Sequence, residues 1–135
     1  MIVMVCVDKS LGVAFNHRRQ SRDRGVRERM TELSRESLLW VSPYTAALFR
    51  RDIPQLRVHE DPLRAAGPGE FCFVERESLE DCRPERLYLY RWNRAYPADQ
   101  FLELPLEDWT LLERREFSTP THPCITEEVY LPCGT

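Results

Sequence analysis

The chain opens with Met1–Val7, a nearly continuous apolar run rich in β-branched residues. That pattern predicts a central strand covered on both faces. Asp8-Lys9-Ser10-Leu11-Gly12 punctuates it as a turn, and Val13-Ala14-Phe15 is a short apolar return. Further on, Val26, Met30 and Leu33 recur at spacings of four and three, one apolar face of a helix. Ser21 reads as its N-cap, with Asp23 in the first turn, where negative charge suits the helix dipole. The spacing predicts a helix over about Arg22 to Ser34. Gly25 costs such a helix about 1 kcal/mol relative to Ala, which suggests a close approach there.

Leu38–Val41, Leu56–His59 and Phe71–Val74 are three more short apolar runs, read as strands. Ser42-Pro43 and Asp61-Pro62 each pair a capping residue with a proline, the signature of a helix start. The first leads into YTAALFRR and the second into LRAAG. Arg76–Cys82 reads as a brief helical turn. In Leu87–Trp92 the leucines alternate with Tyr88, Tyr90 and Trp92, a strand with two unlike faces. Strands and short helices alternate up to this point, which predicts a mostly parallel sheet. Thr110–Phe117 and Thr126–Leu131 follow with no helix between them and predict an antiparallel hairpin at the sheet edge, closed by the loop STPTHPC. The expectation is a three-layer α/β fold. It has a mostly parallel central sheet, short helices on both faces and a C-terminal antiparallel hairpin, in a single domain over 1–135.

Charge changes this picture in one place. The 135 residues carry a formal net charge of −3. Yet Asn16–Arg29 reads NHRRQSRDRGVRER, with six arginines against two acids. Its balance of +4 leaves −7 for the remainder. Arg18, Arg19 and Arg22, with the Ser21 hydroxyl and free N–H groups at a helix start, are the parts of an anion site. Asn16 and Gln20 flank them. The alternative is a solvated helix start paired with surface acids. Asp23 reads either as a general acid/base or as a first-turn acid kept ionised by Arg22 and Arg24. The aromatic face of Tyr88, Tyr90 and Trp92 reads as pocket wall or as core.

Other chemistries find little footing. Five cysteines, an odd number with no CxxC pair, argue against a disulfide framework. His122, Cys124 and Cys133 are three soft ligands where a structural zinc needs four, so no metal is expected. No HExxH, GxSxG or Walker loop occurs. No apolar run reaches the length of a membrane span, and a cytoplasmic protein is expected. Eighteen of the nineteen basic residues are Arg, which fits a GC-rich bacterial genome.

Two ends of the chain carry a resemblance. MIVMVCVDKSLGVAFN resembles the opening strand and glycine-containing loop of dihydrofolate reductase, and YPADQFLELPLEDWTLLERREF with EEVYL resembles its closing segment. The resemblance implies that family's fold, with Asp23 in the place of its pterin-binding acid. It also implies a cleft between Val7, Asp23, Thr45 and Tyr90. Thr45 matches the threonine of its cofactor-phosphate site, and Tyr90 falls where its strand threonine supports the acid. Its phosphate-approach glycine pair falls at Glu75-Arg76. Side chains there fill the phosphate volume, and a carboxylate repels it. NADPH is thus implied by resemblance only, with its site degraded or rebuilt.

Three readings follow. The first is a diverged reductase-like protein holding a small anionic or ring-plus-phosphate ligand, with catalysis left open. The second is a nucleic-acid-binding or nuclease-type protein using 18–29. The third is a pseudoenzyme scaffold that binds a partner.

Overall fold

The computed structural model describes residues 1–49 and 53–133. In chain order these form β1 (Ile2–Val7), β2 (Gly12–Phe15), β3 (Arg18–Arg19), α1 (Arg24–Leu33), β4 (Leu39–Val41), α2 (Pro43–Ala46) and β5 (Leu56–Val58). There follow α3 (Pro62–Ala65), β6 (Phe71–Val74), β7 (Arg86–Arg91), β8 (Gln100–Phe101), β9 (Trp109–Phe117) and β10 (Ile125–Pro132). Arg50 and Arg51, the end of the apolar stretch after Pro43, lie outside the described residues.

Seven strands make one sheet in the order β5-β4-β6-β1-β7-β10-β9. The first five are mutually parallel, and β10 runs antiparallel to both β7 and β9. The apolar opening run is the central strand because both its faces are covered. Ile2 and Met4 pack with Val26 and Met30 of α1, while Val3, Val5 and Val7 pack with Leu87, Leu89 and Leu104 on the other side. The same division runs along β7. Tyr88, Tyr90 and Trp92 all join the first cluster, and Leu87 and Leu89 the second. The α/β architecture with its terminal hairpin is the one the alternation predicts.

Three local readings change. A second, three-stranded antiparallel sheet, β3-β2-β8, includes the two arginines at the start of the basic stretch. Its partner strands are two residues long, too short for any periodicity to show. Arg76–Cys82 forms no helix, only a turn with Cys82 N–H donating to Leu79 C=O. The third concerns α1. Its N-cap is Asp23, whose carboxylate accepts from Val26 N–H at 3.0 Å. Ser21 lies outside the helix, and α1 begins at Arg24. Val26 and Met30 are buried along the predicted face.

Gly25 meets the close approach its helix position suggested. A Cβ there would lie 2.5 Å from Thr119 Cγ2, in the loop between β9 and β10. The hairpin loop thus sits directly against the start of α1. No described helix is long and apolar enough to cross a membrane.

Candidate functional site

Asp23 is the point where three parts of the chain meet. It is 3% exposed. Besides capping α1, its Oδ2 accepts from the Thr119 hydroxyl and from His122 Nδ1, the latter at 2.7 Å. Burial works against its charge, but the hydrogen bonds from Thr119, His122 and Val26 prevail, holding the carboxyl below its ordinary value. The arginines beside it in sequence are not the cause.

His122 is fully buried and spends both ring nitrogens. With Nδ1 against an ionised carboxylate, the proton belongs on Nδ1, and Nε2 is left as an acceptor. Two hydroxyls face that lone pair: Tyr96 Oη at 3.0 Å and Ser21 Oγ at 3.3 Å. The indole of Trp92 stacks on the imidazole, centroids 4.5 Å apart and planes 23° from parallel. Thr119 holds the loop itself, accepting from His122 N–H and donating its own N–H to the His122 carbonyl. The sequence weighs His122 only as a metal ligand and gives no sign of its pairing with Asp23. Its available signal was a lone histidine set between Pro120 and Pro123, which stiffen the loop that presents it.

Ser21, Arg22, Asp23 and Arg27 line a narrow recess with Cys6 and Trp92. It opens beyond the carboxyl ends of β1 and β6, where open parallel sheets place ligands. The cavity measures about 20 Å³, room for a water or one small polar group. Arg27 lines the recess, and its Nη1 is buried with no hydrogen-bond partner among the described residues. Burial lowers its pKa, with Asp23 opposing and Arg22 and Arg19 adding to the fall. Burial foremost, then the Glu75 and Asp23 charges, pushes the Cys6 thiol well up, so it stays protonated. Arg27 also borders an open groove of about 810 Å³ along α1, facing Phe49, Ile53 and Pro54.

Of the other arginines of the basic stretch, Arg19 lines the recess together with its partner Glu75, and Arg18, Arg24 and Arg29 do not. Arg19 makes a two-pronged ion pair with Glu75, Nε–Oε2 2.7 Å and Nη2–Oε1 3.0 Å. Arg24 pairs with Glu28, and Arg29 with the buried Glu127. Arg18 and Arg22 make no ion pair among the described residues.

Of the remaining predicted site residues Gln20 lines the recess, and Asn16, Thr45 and Tyr90 do not. Asn16 sits in an exposed turn at φ 51°, its N–H bonded to Asp99. Gln20 donates to Asp8 Oδ2 and leaves Oε1 buried without a partner among the described residues. Thr45 is fully buried and donates to Glu75 Oε1 at 2.8 Å. Tyr90 is fully buried in the core beneath α1, its hydroxyl donating to Glu127 at 2.9 Å. Tyr88 and Tyr90 are therefore core, while Trp92 also lines the recess. The support that the resemblance assigns to the Tyr90 position comes here from Thr119, in the hairpin loop. Cys124 and Cys133 stand at opposite ends of β10, and no group of three metal-ligating side chains converges among the described residues.

This arrangement has a known frame. A dihydrofolate reductase from Enterococcus faecalis, solved with NADP(H) and RAB-propyl, matches 97% of this chain and 95% of its own, with a TM-score of 0.66 and 11% identity. The chain has the dihydrofolate reductase fold. No protein-family model and no curated protein matches the sequence. An identity of 11% carries the fold alone. The chemistry rests on this chain's own residues.

Proposed function

We propose that this protein binds a small ligand with an anionic group in the recess before α1, through Arg27 and Arg22. The observation that carries the reading is Arg27. Arg27 is half-buried and lines the recess, and its Nη1 is buried with no hydrogen-bond partner among the described residues, so part of the guanidinium lacks the partner a buried donor needs. Arg22 stands exposed on the same recess. The groove beyond Arg27, faced by Phe49 and Ile53, suits the flat or apolar body of such a ligand.

The reading does not extend to a dinucleotide. Thr45 and Arg19 both bond the carboxylate of Glu75. By the resemblance, Thr45 and Glu75 occupy the cofactor-phosphate positions. The protein's own carboxylate thus takes the donors that a pyrophosphate needs, and the residues present do not fit that group. Nor is Asp23 free to hold a pterin, since its oxygens are engaged by Val26, Thr119 and His122. The nucleic-acid reading gains no support, because Arg19, Arg24 and Arg29 are paired within the protein.

Isothermal titration with pyrophosphate, dihydrofolate and NADPH at low salt tests this. The expected result is pyrophosphate binding that weakens with salt and falls about tenfold or more in Arg27→Gln, with dihydrofolate and NADPH left unbound. No binding of any probe at millimolar concentration, or binding indifferent to Arg27→Gln, overturns it.

A further inference from the structure

We infer that Ser21, His122 and Asp23 form a nucleophilic relay, and that the recess takes a carboxylic ester whose acyl part carries an anion. The anionic part of this inference rests on the reading of Arg22 and Arg27 above; the relay does not. A Ser-His-Asp set is recognised by geometry and roles, not by order along the chain. Here Asp23 accepts from Nδ1 at 2.7 Å and so leaves the Nε2 lone pair facing Ser21 Oγ at 3.3 Å. That separation is a little long for a base-nucleophile bond and is of the kind that tightens on substrate binding. Trp92 fixes the plane of the imidazole, and Thr119 ties both the loop and Asp23. Ser21 lines the recess, partly exposed, Asp23 borders it almost wholly buried, and His122 is buried and outside its lining. Arg27 and Arg22 line the same recess and bring positive charge to the developing oxyanion. A cavity of about 20 Å³ admits a carbonyl and not a ring.

In the first step Ser21 Oγ adds to the ester carbonyl carbon and its proton passes to His122 Nε2. The bond to the alcohol oxygen then breaks, and that oxygen leaves with the proton from Nε2. Water next adds to the acyl-serine carbonyl and gives one proton to Nε2. The carbon–Oγ bond breaks, the carboxylic acid departs, and Ser21 Oγ recovers the proton. Nothing is oxidised or reduced. Tyr96 competes with Ser21 for the same lone pair, its hydroxyl being the nearer by distance. It restrains the base in the resting protein.

A neutral fluorophosphonate, located by peptide mass spectrometry, tests the relay without engaging the arginines. The expected result is one adduct, on Ser21, absent from Ser21→Ala. Its rate should fall about a hundredfold or more in His122→Asn and rise in Tyr96→Phe, which leaves Nε2 to Ser21 alone. If His122→Asn fails to fold by circular dichroism, Tyr96→Phe decides, because a serine with no base behind it reacts equally in both proteins. No adduct at Ser21, or an adduct whose rate Tyr96→Phe leaves unchanged, overturns the relay. The substrate class is read separately, from p-nitrophenyl succinate against p-nitrophenyl propionate. Faster turnover of the charged ester, lost in Arg22→Gln, supports an anionic acyl part, and equal rates overturn it.

Discussion

His122 Nδ1 bonds Asp23 Oδ2 across 2.7 Å, and the two residues are 99 positions apart in the chain. The bond fastens the loop of the terminal hairpin to the first turn of α1. Because Asp23 is held below its ordinary pKa, the bond is linked to pH. The unfolded value is near about 4. A depressed folded value means the contribution is fully present above that pH and is lost as pH falls through the folded value. Asp23→Asn keeps a capping side chain but cannot ionise. The variant should be less stable than wild type by about 1–3 kcal/mol at pH 6. The gap should close progressively from about pH 4 toward pH 2. Urea midpoints over that range check this, and a gap that does not change with pH refutes the linkage.

Gly25 supplies a steric test of the same junction. Replacing a helical glycine with alanine ordinarily stabilises by about 1 kcal/mol. Here the added methyl would lie 2.5 Å from Thr119 Cγ2. Gly25→Ala should instead destabilise by about 1–3 kcal/mol, the scale of overpacking. Thr119→Ser removes that methyl and keeps the hydroxyl that donates to Asp23. The double variant should recover most of the loss, giving a coupling of about 1 kcal/mol or more in a thermodynamic cycle. Strictly additive effects would place the strain elsewhere.

Much of the fold was legible because it was written in periods. The unbroken apolar run of β1 and the leucine–aromatic alternation of β7 each state which faces are buried. The hairpin was marked by two strands with no helix between them. The cap of α1 was not decided locally, since Ser21 and Asp23 are both good capping residues two positions apart. Thr119 and His122 decide it, by holding the carboxylate from across the chain. The same reason hid the site. STPTHPC has no periodicity, and nothing near it names Asp23 as its partner. Glu75 was legible as an obstacle to a phosphate, but not as the partner of Arg19, 56 residues away.

Tyr90 separates core from recess. Its hydroxyl donates to Glu127, which also accepts from Arg29, and burial foremost, followed by the Glu127 charge, pushes its pKa well up. Tyr90→Phe should cost about 1 kcal/mol in stability, one buried hydrogen bond, and leave pyrophosphate affinity unchanged. A loss of affinity with the fold intact would return Tyr90 to the ligand site.

Glu75 allows the strongest test of why the phosphate positions no longer fit a phosphate. Its carboxylate, 6% exposed, takes two bonds from Arg19 and one from Thr45. Removing one member of a buried pair leaves the other charge unmatched. The full cost of about 3–5 kcal/mol applies to a wholly buried pair. Arg19 retains 21% exposure, so Glu75→Gly should cost less, about 1–3 kcal/mol. The same change frees Arg19 and Thr45 and empties the space the side chain fills. An external anion should then stabilise the variant where it does little for wild type at that position. In Glu75→Gly, pyrophosphate should raise the melting temperature in proportion to the logarithm of its concentration, and Arg19→Gln added to it should abolish the rise. Glu75→Gln keeps the volume and should show no such rise. If Glu75→Gly folds and pyrophosphate gives it no more protection than it gives wild type, then Glu75 does not stand in the place of a bound anion.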